Sequence, residues 1–268
     1  IAMAAPDGSG PAHADVVVDE AGLEVVSATI AAAPIATTAL SVLLRSQPTL
    51  DVEAGLAAES AVYSTLQAGP EFAAWRAAAT HSPFADDHPT VRVDRDGDVL
   101  TVWLDRPQRH NAISTRLRDD LTAALQLAAF DDSITSVHLR GAGASFCSGG
   151  DLGEFGSRPD PATAHRTRLS RSPARLIHQA RERMVVHLHG AALGGGIEMA
   201  AFAGRVIAHR DTQIGLPEVS LGLIPGAGGT VSLPRRIGRQ RTALLALTTK
   251  TIDAPTALQW GLIDEIAD

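Results

Sequence analysis

The sequence predicts an α/β core preceded by a helical segment. Three observations carry this. From residue 90 onward, short β-branched runs alternate with helical patterns. Glycine-rich loops follow two of those runs. Residues 14–80, by contrast, hold apolar side chains at helical spacing and lack strand patterning. No tandem repeat of solenoid type interrupts this order.

The elements follow in turn. Residues 1–13 are rich in Gly, Pro and Ala and read as a flexible tail, without the basic start and continuous apolar stretch of a signal peptide. In the helical segment, 14–80, Pro34 opens one helix. Asp51 caps another that carries Val52, Leu56, Tyr63 and Leu66, and Gly69-Pro70 stops it. Residues 81–89, with two prolines and two adjacent aspartates, read as a linker. The core, 90–268, opens with a hairpin, VRVD and VLTVWLD around a turn at Asp96-Gly97. Ser114 caps a helix that runs to about Phe130, and Ser136 to Arg140 form a strand. Residues 156–172 are polar and poorly patterned and read as mobile, followed by a helix to about Glu182. Strands follow at Val185 to His189 and Arg205 to His209, with an apolar helix from Ile197 between them.

Composition narrows the function classes. The chain has 268 residues, 45% of them hydrophobic, enough for a sizeable core. Its formal net charge is -7, which disfavours a nucleic-acid partner. Lys250 is the only lysine, so nearly all positive charge is arginine. The single cysteine, Cys147, excludes a disulfide framework and a cysteine-rich zinc site, and it fits a cytoplasmic setting. No run of about 18 apolar residues is present, so no membrane span is expected.

Three loops carry candidate chemistry. In GAALGGGIEMA (190–200) a strand ends, three glycines follow and a helix begins. Glycine admits close approach to the backbone, and the first helical N–H groups lack internal partners, so negative charge is favoured there. Glu198 in that first turn is expected to be ionised. The loop Gly141 to Asp151 can supply a second backbone donor, and two such donors make an oxyanion hole. Cys147 within it reads as packing, since no histidine is placed beside it. In LPEVSLGLIPGAGGT (216–230), Glu218 lies among Leu216, Val219 and Leu221, and apolar surroundings let a carboxyl keep its proton near neutrality. Two carboxyls in unlike environments can divide acid and base roles. Taken singly, each feature also reads as an ordinary turn, cap or surface glutamate. GAGGT is neither GxGxxG nor a P-loop, and His187 with His189 lacks a third metal ligand. Arg235, Arg236, Arg239 and Arg241 form a cluster that is either a solvated face or a phosphate contact.

In order and spacing, five stretches resemble the enoyl-CoA hydratase/isomerase (crotonase) superfamily: DRPQRHNAIS (105–114), FCSGGDLGEF (146–155), HGAALGGGIEMA (189–200), GLPEVSLGLIPGAGGTVSLPRRIGR (215–239) and TIDAPTALQWGLIDEI (251–266). The resemblance implies a crotonase-like spiral of ββα units, here with its helical segment placed N-terminally. It also implies an acyl-CoA thioester whose carbonyl is held by the N–H groups of Gly150 and Gly195, with Glu198 and Glu218 as catalytic residues. Arg106, Arg109, Asn111, Ala112, Ser148, Gly149, Asp151, Leu152 and Gly194 are the implied substrate and CoA contacts. Coenzyme A enters only as part of the substrate, with no metal or redox cofactor, and the implied assembly is a trimer or dimer of trimers. Both glutamates together favour hydration of a 2-enoyl-CoA. A double-bond isomerase and a non-catalytic acyl-CoA-binding subunit are the alternatives, the first separated by its product and the second disfavoured by the retained glutamates.

Two departures from the family pattern stand out. Its C-terminal helices are absent after residue 268, whereas residues 14–45 and 51–78 resemble them, and VVVDEAG (16–22) echoes GLIDEIAD (261–268). This implies a circular permutation, with an unrelated helical extension as the alternative. A large separation between residues 14–20 and Asp268 would count against the permutation. Ser41 stands where many relatives carry a lysine toward CoA phosphate, leaving Arg106, Arg109 or Arg45 as substitutes.

Overall fold

The computed structural model describes residues 1–6, 13–80, 84–157 and 160–268. A short parallel pair, β1 (Met3–Ala4) and β2 (Val16–Val17), opens the chain. Four helices follow: α1 (Glu20–Ala32), α2 (Pro34–Ser46), α3 (Val52–Gln67) and α4 (Pro70–Ala78). Then come β3 (Val91–Asp96), β4 (Val99–Leu104), α5 (Thr115–Phe130), β5 (Ser136–Gly141), α6 (Pro161–Ser170) and α7 (Pro173–Gln179). They are followed by β6 (Met184–Leu188), β7 (Ala191–Leu193), α8 (Gly195–Ala200), β8 (Arg205–His209) and β9 (Gln213–Gly215). The chain closes with α9 (Gly229–Thr248), β10 (Ile252–Asp253), α10 (Ala254–Trp260) and β11 (Glu265–Ala267).

The main sheet runs β11-β8-β6-β5-β4-β3, parallel except for the β3–β4 hairpin. Asp96 pairs with Val99, so Gly97 and Asp98 make the turn, and Gly97 takes φ +60°, which glycine adopts without a Cβ penalty. Period-two alternation puts Leu100, Val102, Leu104, Val137, Leu139, Met184, Val186 and Leu188 into the core. A second ladder stacks beside it. Ile113 bridges Gly150, Cys147 bridges Ala192, and β7 pairs with β9, which pairs with β10. Successive turns of chain therefore give one strand to each sheet before a helix, which is the ββα spiral of the crotonase fold. The second ladder carries the three candidate loops and brings their glycines together.

Caps explain several boundaries. Asp51 accepts from Ala54 N at 2.7 Å, and Ser114 accepts from Leu117 N at 3.1 Å. Residues 156–172 differ from expectation: Pro161 to Ser170 form α6. Asp160 caps it by accepting from Thr163 N at 2.7 Å, with Pro161 in the first turn. Sequence pattern missed it because α6 is stabilised through packing on α3 rather than by an apolar stripe of its own. Residues 158–159 lie outside the described residues. The following helix ends at Gln179 rather than near Glu182.

The tail and the linker are both held at points by the rest of the chain. Met3–Ala4 pair with β2, and Asp15 accepts from Ala2 N at 2.9 Å, so part of 1–13 is fixed; residues 7–12 lie outside the described residues. In the linker, Asp86 is ion-paired to Arg106, and Phe84 lies under the guanidinium groups of Arg106 and Arg109; residues 81–83 lie outside the described residues. Two turns of α9 hold both ends of the permuted arrangement that the resemblance implies. Arg239 pairs with Asp15 at 3.3 Å and Gln240 donates to Ala14 O at 3.1 Å, while Arg236 pairs with Asp264 at 3.1 Å and Arg241 donates to Trp260 O. Among the described residues no single helix is long and apolar enough to cross a membrane.

Candidate active site

The β7–α8 junction positions the first carboxyl. Gly194 takes φ +46°, and a Cβ there would stand 2.1 Å from Glu218 Oε1, so this turn needs glycine for both reasons. Gly195 and Gly196 open α8, and one turn later Glu198 is fully buried. Its Oε2 accepts from Ala227 N at 2.7 Å and Gly229 N at 2.9 Å. Glu218 follows Pro217 in a short turn after β9 and is also buried. Its Oε2 meets no protein donor among the described residues, and it lines the same cleft as Glu198.

A third carboxyl completes the group. Glu59, on the buried face of α3, accepts from Gly228 N at 2.7 Å, Thr230 N at 2.8 Å and Thr230 Oγ1 at 2.7 Å. The amides of residues 227–230, at the start of α9, thus go alternately to Glu198 and Glu59. Helix N-termini favour such anions.

Burial dominates the electrostatics. It pushes Glu198 well above the usual carboxylate range, helped by the charges of Glu218 and Glu59 and opposed by the two amides. Glu218 is raised to about 7, by burial first and then by Glu59. Glu59 is likewise raised to about 7 by burial, against its Thr230 and Gly228 hydrogen bonds. Desolvation and the neighbouring carboxyls thus oppose the ionisation that the helix end and the two amides favour at Glu198. Since like charges this close resist joint ionisation, Glu198 and Glu218 titrate as a pair.

Gly150, Gly195, Glu198 and Glu218 all line one cleft of about 220 Å³, and Asp151 lines it too. The N–H groups of Gly150 and Gly195 donate to no protein acceptor among the described residues. Phe155 lies so close to Gly150, and Ile113 to Gly195, that an added Cβ would stand 2.4 and 2.7 Å from their side-chain carbons. Together the site offers two free amide donors beside two buried carboxyls, an arrangement fit for proton exchange next to a polarised carbonyl.

Other expected contacts lie behind the cleft. Arg106 is fully buried, donating to Asp86, to Asp151 at 2.6 Å and to Ala112 O at 3.0 Å. Its assignment to CoA is therefore corrected: two carboxylates already neutralise a guanidinium that no solvent reaches. Asn111 is also buried and corrected likewise, bracing Ala142 O and Ser145 O while accepting from Arg106 N. Ala112 is buried, with its carbonyl held by Arg106, and Ser148 N is held by His110 O. Gly149, with φ +95°, shapes the turn before Gly150, and Leu152 starts a short turn after Asp151. Arg109 is partly exposed, 3.7 Å from Asp151. Ser41 is buried against Thr37 O and Arg45 pairs with Asp15, so neither faces the cleft. Cys147 is buried, its thiol pushed up to about 12 by desolvation, as a packing residue would be.

Glu59, Tyr63 and Arg168 also line the cleft and were not found from sequence. A signal existed for Glu59: Gly55, Glu59 and Tyr63 recur at i, i+4 and i+8, which puts a carboxyl on an otherwise small or aromatic face.

The enoyl-CoA hydratase/isomerase family model matches residues 94–268. A 2,3-dehydroadipyl-CoA hydratase of Escherichia coli is 35% identical over 174 residues, covering 65% of this chain and 68% of that protein. An enoyl-CoA isomerase/hydratase of Mycosarcoma maydis is 38% identical over 181 residues, covering 63% of this chain and 65% of that protein. The solved structure of an enoyl-CoA hydratase from Thermoplasma volcanium superposes with a TM-score of 0.62 at 35% identity, covering 68% of this chain and 73% of the other.

Proposed function

We propose that this chain, which belongs to the enoyl-CoA hydratase/isomerase family and is an enzyme of the crotonase superfamily, adds water to a 2-enoyl-CoA thioester. The observation that carries this reading is the buried Glu198–Glu218 pair beside the free amides of Gly150 and Gly195. The two amides receive the thioester oxygen and stabilise the charge that gathers there. Glu198 orients the water whose oxygen bonds to C3, and Glu218 delivers a proton to C2. The water's second proton returns to the pair, so the two carboxyls end with the proton count they began with. CoA is part of the substrate and no separate cofactor takes part. Glu198→Gln and Glu218→Gln test the roles: each is expected to lose about 10²-fold or more in kcat, and an unchanged rate in either refutes its assignment.

A double-bond isomerase needs one acid–base group rather than two, and two buried carboxyls lining one cleft favour hydration over it. The N-terminal helices fit a circular permutation, because α3 supplies Glu59 to the site and neighbouring residues of α9 contact both 14–15 and 260–264. Joining residue 268 to residue 14 and opening the chain within 81–89 is expected to preserve turnover; a chain that folds but binds no acyl-CoA contradicts this. In the same reading the enzyme assembles as a trimer or dimer of trimers in the cytoplasm, which sedimentation of the purified chain tests directly.

A further inference from the structure

Arg168 stands apart from the other arginines of the cleft. Arg118 pairs with Asp119 at 2.7 Å, Arg171 also pairs with Asp119, and Arg175 pairs with Glu53 at 2.8 Å. Arg168 has no carboxylate within ion-pair distance among the described residues. Its guanidinium is held by neutral groups only: Nε donates to Ser60 Oγ at 3.1 Å, one Nη to Gln67 Oε1 at 3.3 Å and the other to Ser64 Oγ. It lies over the Tyr63 ring, 4.6 Å from the centroid. A guanidinium has five N–H groups in a planar fork, so one N–H on each Nη stays unassigned in the cleft wall. A half-buried cation fixed by three hydrogen bonds and an aromatic face, with Glu59 acting on it only from beyond ion-pair distance, is arranged to receive an anion.

Its position says which anion. Along α3, Glu59 meets the start of α9 beside Glu198, and the residues that hold Arg168, namely Ser60, Tyr63, Ser64 and Gln67, continue from it toward the end of the helix, so that face of the cleft passes from the carboxyls to Arg168. With C2 and C3 at Glu198 and Glu218, as the proposed reaction requires, an acyl chain that follows this face of α3 reaches Arg168 within the same cleft. We propose that Arg168 binds a carboxylate at the far end of the acyl chain, making an ω-carboxyacyl-CoA, the CoA ester of a dicarboxylic acid, the preferred substrate class. This rests on the acyl-CoA reading of the cleft but not on hydration as its reaction.

The test is therefore a binding measurement. Saturated ω-carboxyacyl-CoA and alkanoyl-CoA esters, matched over a series of chain lengths, are titrated against the wild type and Arg168→Gln, with free CoA as a third ligand. The wild type is expected to bind the ω-carboxy ester of the best-fitting length about 10²-fold more tightly than its alkyl partner. Arg168→Gln is expected to erase that preference, leaving free CoA and the alkyl ester unchanged. Arg168→Lys, which keeps the charge but loses the fork, restores only part of it. Equal wild-type affinity for both esters at every length overturns the proposal, and needs no variant to fold. So does an equal weakening of both esters and of free CoA in Arg168→Gln, which would put the guanidinium on a CoA phosphate. If the preference is present but no enoyl ester turns over, the hydratase reading fails while this one stands.

Discussion

Glu59 and Glu198 share the start of one helix: Glu198 takes the amides of Ala227 and Gly229, and Glu59 takes those of Gly228 and Thr230. Each carboxyl fixes alternate links of the same strand of backbone, so the segment that places Glu198 is anchored from α3. Replacing Glu59 by Ala leaves two buried amides without an acceptor, at a cost of about 1–3 kcal/mol each. The variant is expected to melt at lower temperature and to lose kcat as Glu198 loosens. Thermal unfolding and turnover of the same preparation check both, and a full-rate Glu59→Ala would show that Glu198 is held without it.

The charge of Glu59 also raises both Glu198 and Glu218. Glu59→Gln removes it, so the acid limb of the kcat/KM profile is expected to move to lower pH while the wild-type limb lies near the value of about 7 held by Glu218. Below that limb both members of the catalytic pair carry protons and no base is left. At high pH neither carries one and rate falls again, giving a bell. A profile flat across this region would dissociate the pair from the rate.

Stability should run against activity. A carboxyl whose native pKa is raised binds its proton more tightly folded than unfolded, so its contribution is present below the unfolded value and lost as pH rises through the native one. For Glu218, that window runs from its ordinary 4.5 to about 7. Glu218→Gln removes the penalty, so its melting temperature is expected to exceed that of the wild type at pH 8 and to approach it at pH 4, while turnover is lost. Thermal unfolding at both pH values decides this; no pH dependence in the difference contradicts it.

Gly194 couples backbone to chemistry. Gly194→Ala meets both a left-handed backbone and Glu218 Oε1 at 2.1 Å, so Glu218 must move. Loss of kcat by about 10²-fold is expected, because one displaced acid–base group removes that much. Retained affinity for saturated acyl-CoA would show that the cleft survives.

Much of this site was legible because its parts lie on loops whose composition betrays them. Glycines before α8 and before Asp151 needed no side chain, and Glu198 and Glu218 stood in apolar company. What sequence misread depends on distant partners. Arg106 looked available until Asp86 and Asp151, 20 and 45 residues away, closed around it. The local helix start alone speaks for an ionised Glu198, and only the fold brings Glu218 and Glu59 to oppose it. Arg168 lay in a stretch without pattern, and its role follows from α3, more than 100 residues upstream.

The central claim is that the Glu198–Glu218 pair adds water across a double bond polarised by two amides. Product analysis of the purified chain with 2-enoyl-CoA esters, alkyl and ω-carboxy, tests it most directly. The account predicts a 3-hydroxyacyl-CoA carrying oxygen from labelled water, formed by the wild type and not by Glu198→Gln or Glu218→Gln. A product with a shifted double bond and no label, or bound ester left unchanged by the wild type, would contradict it.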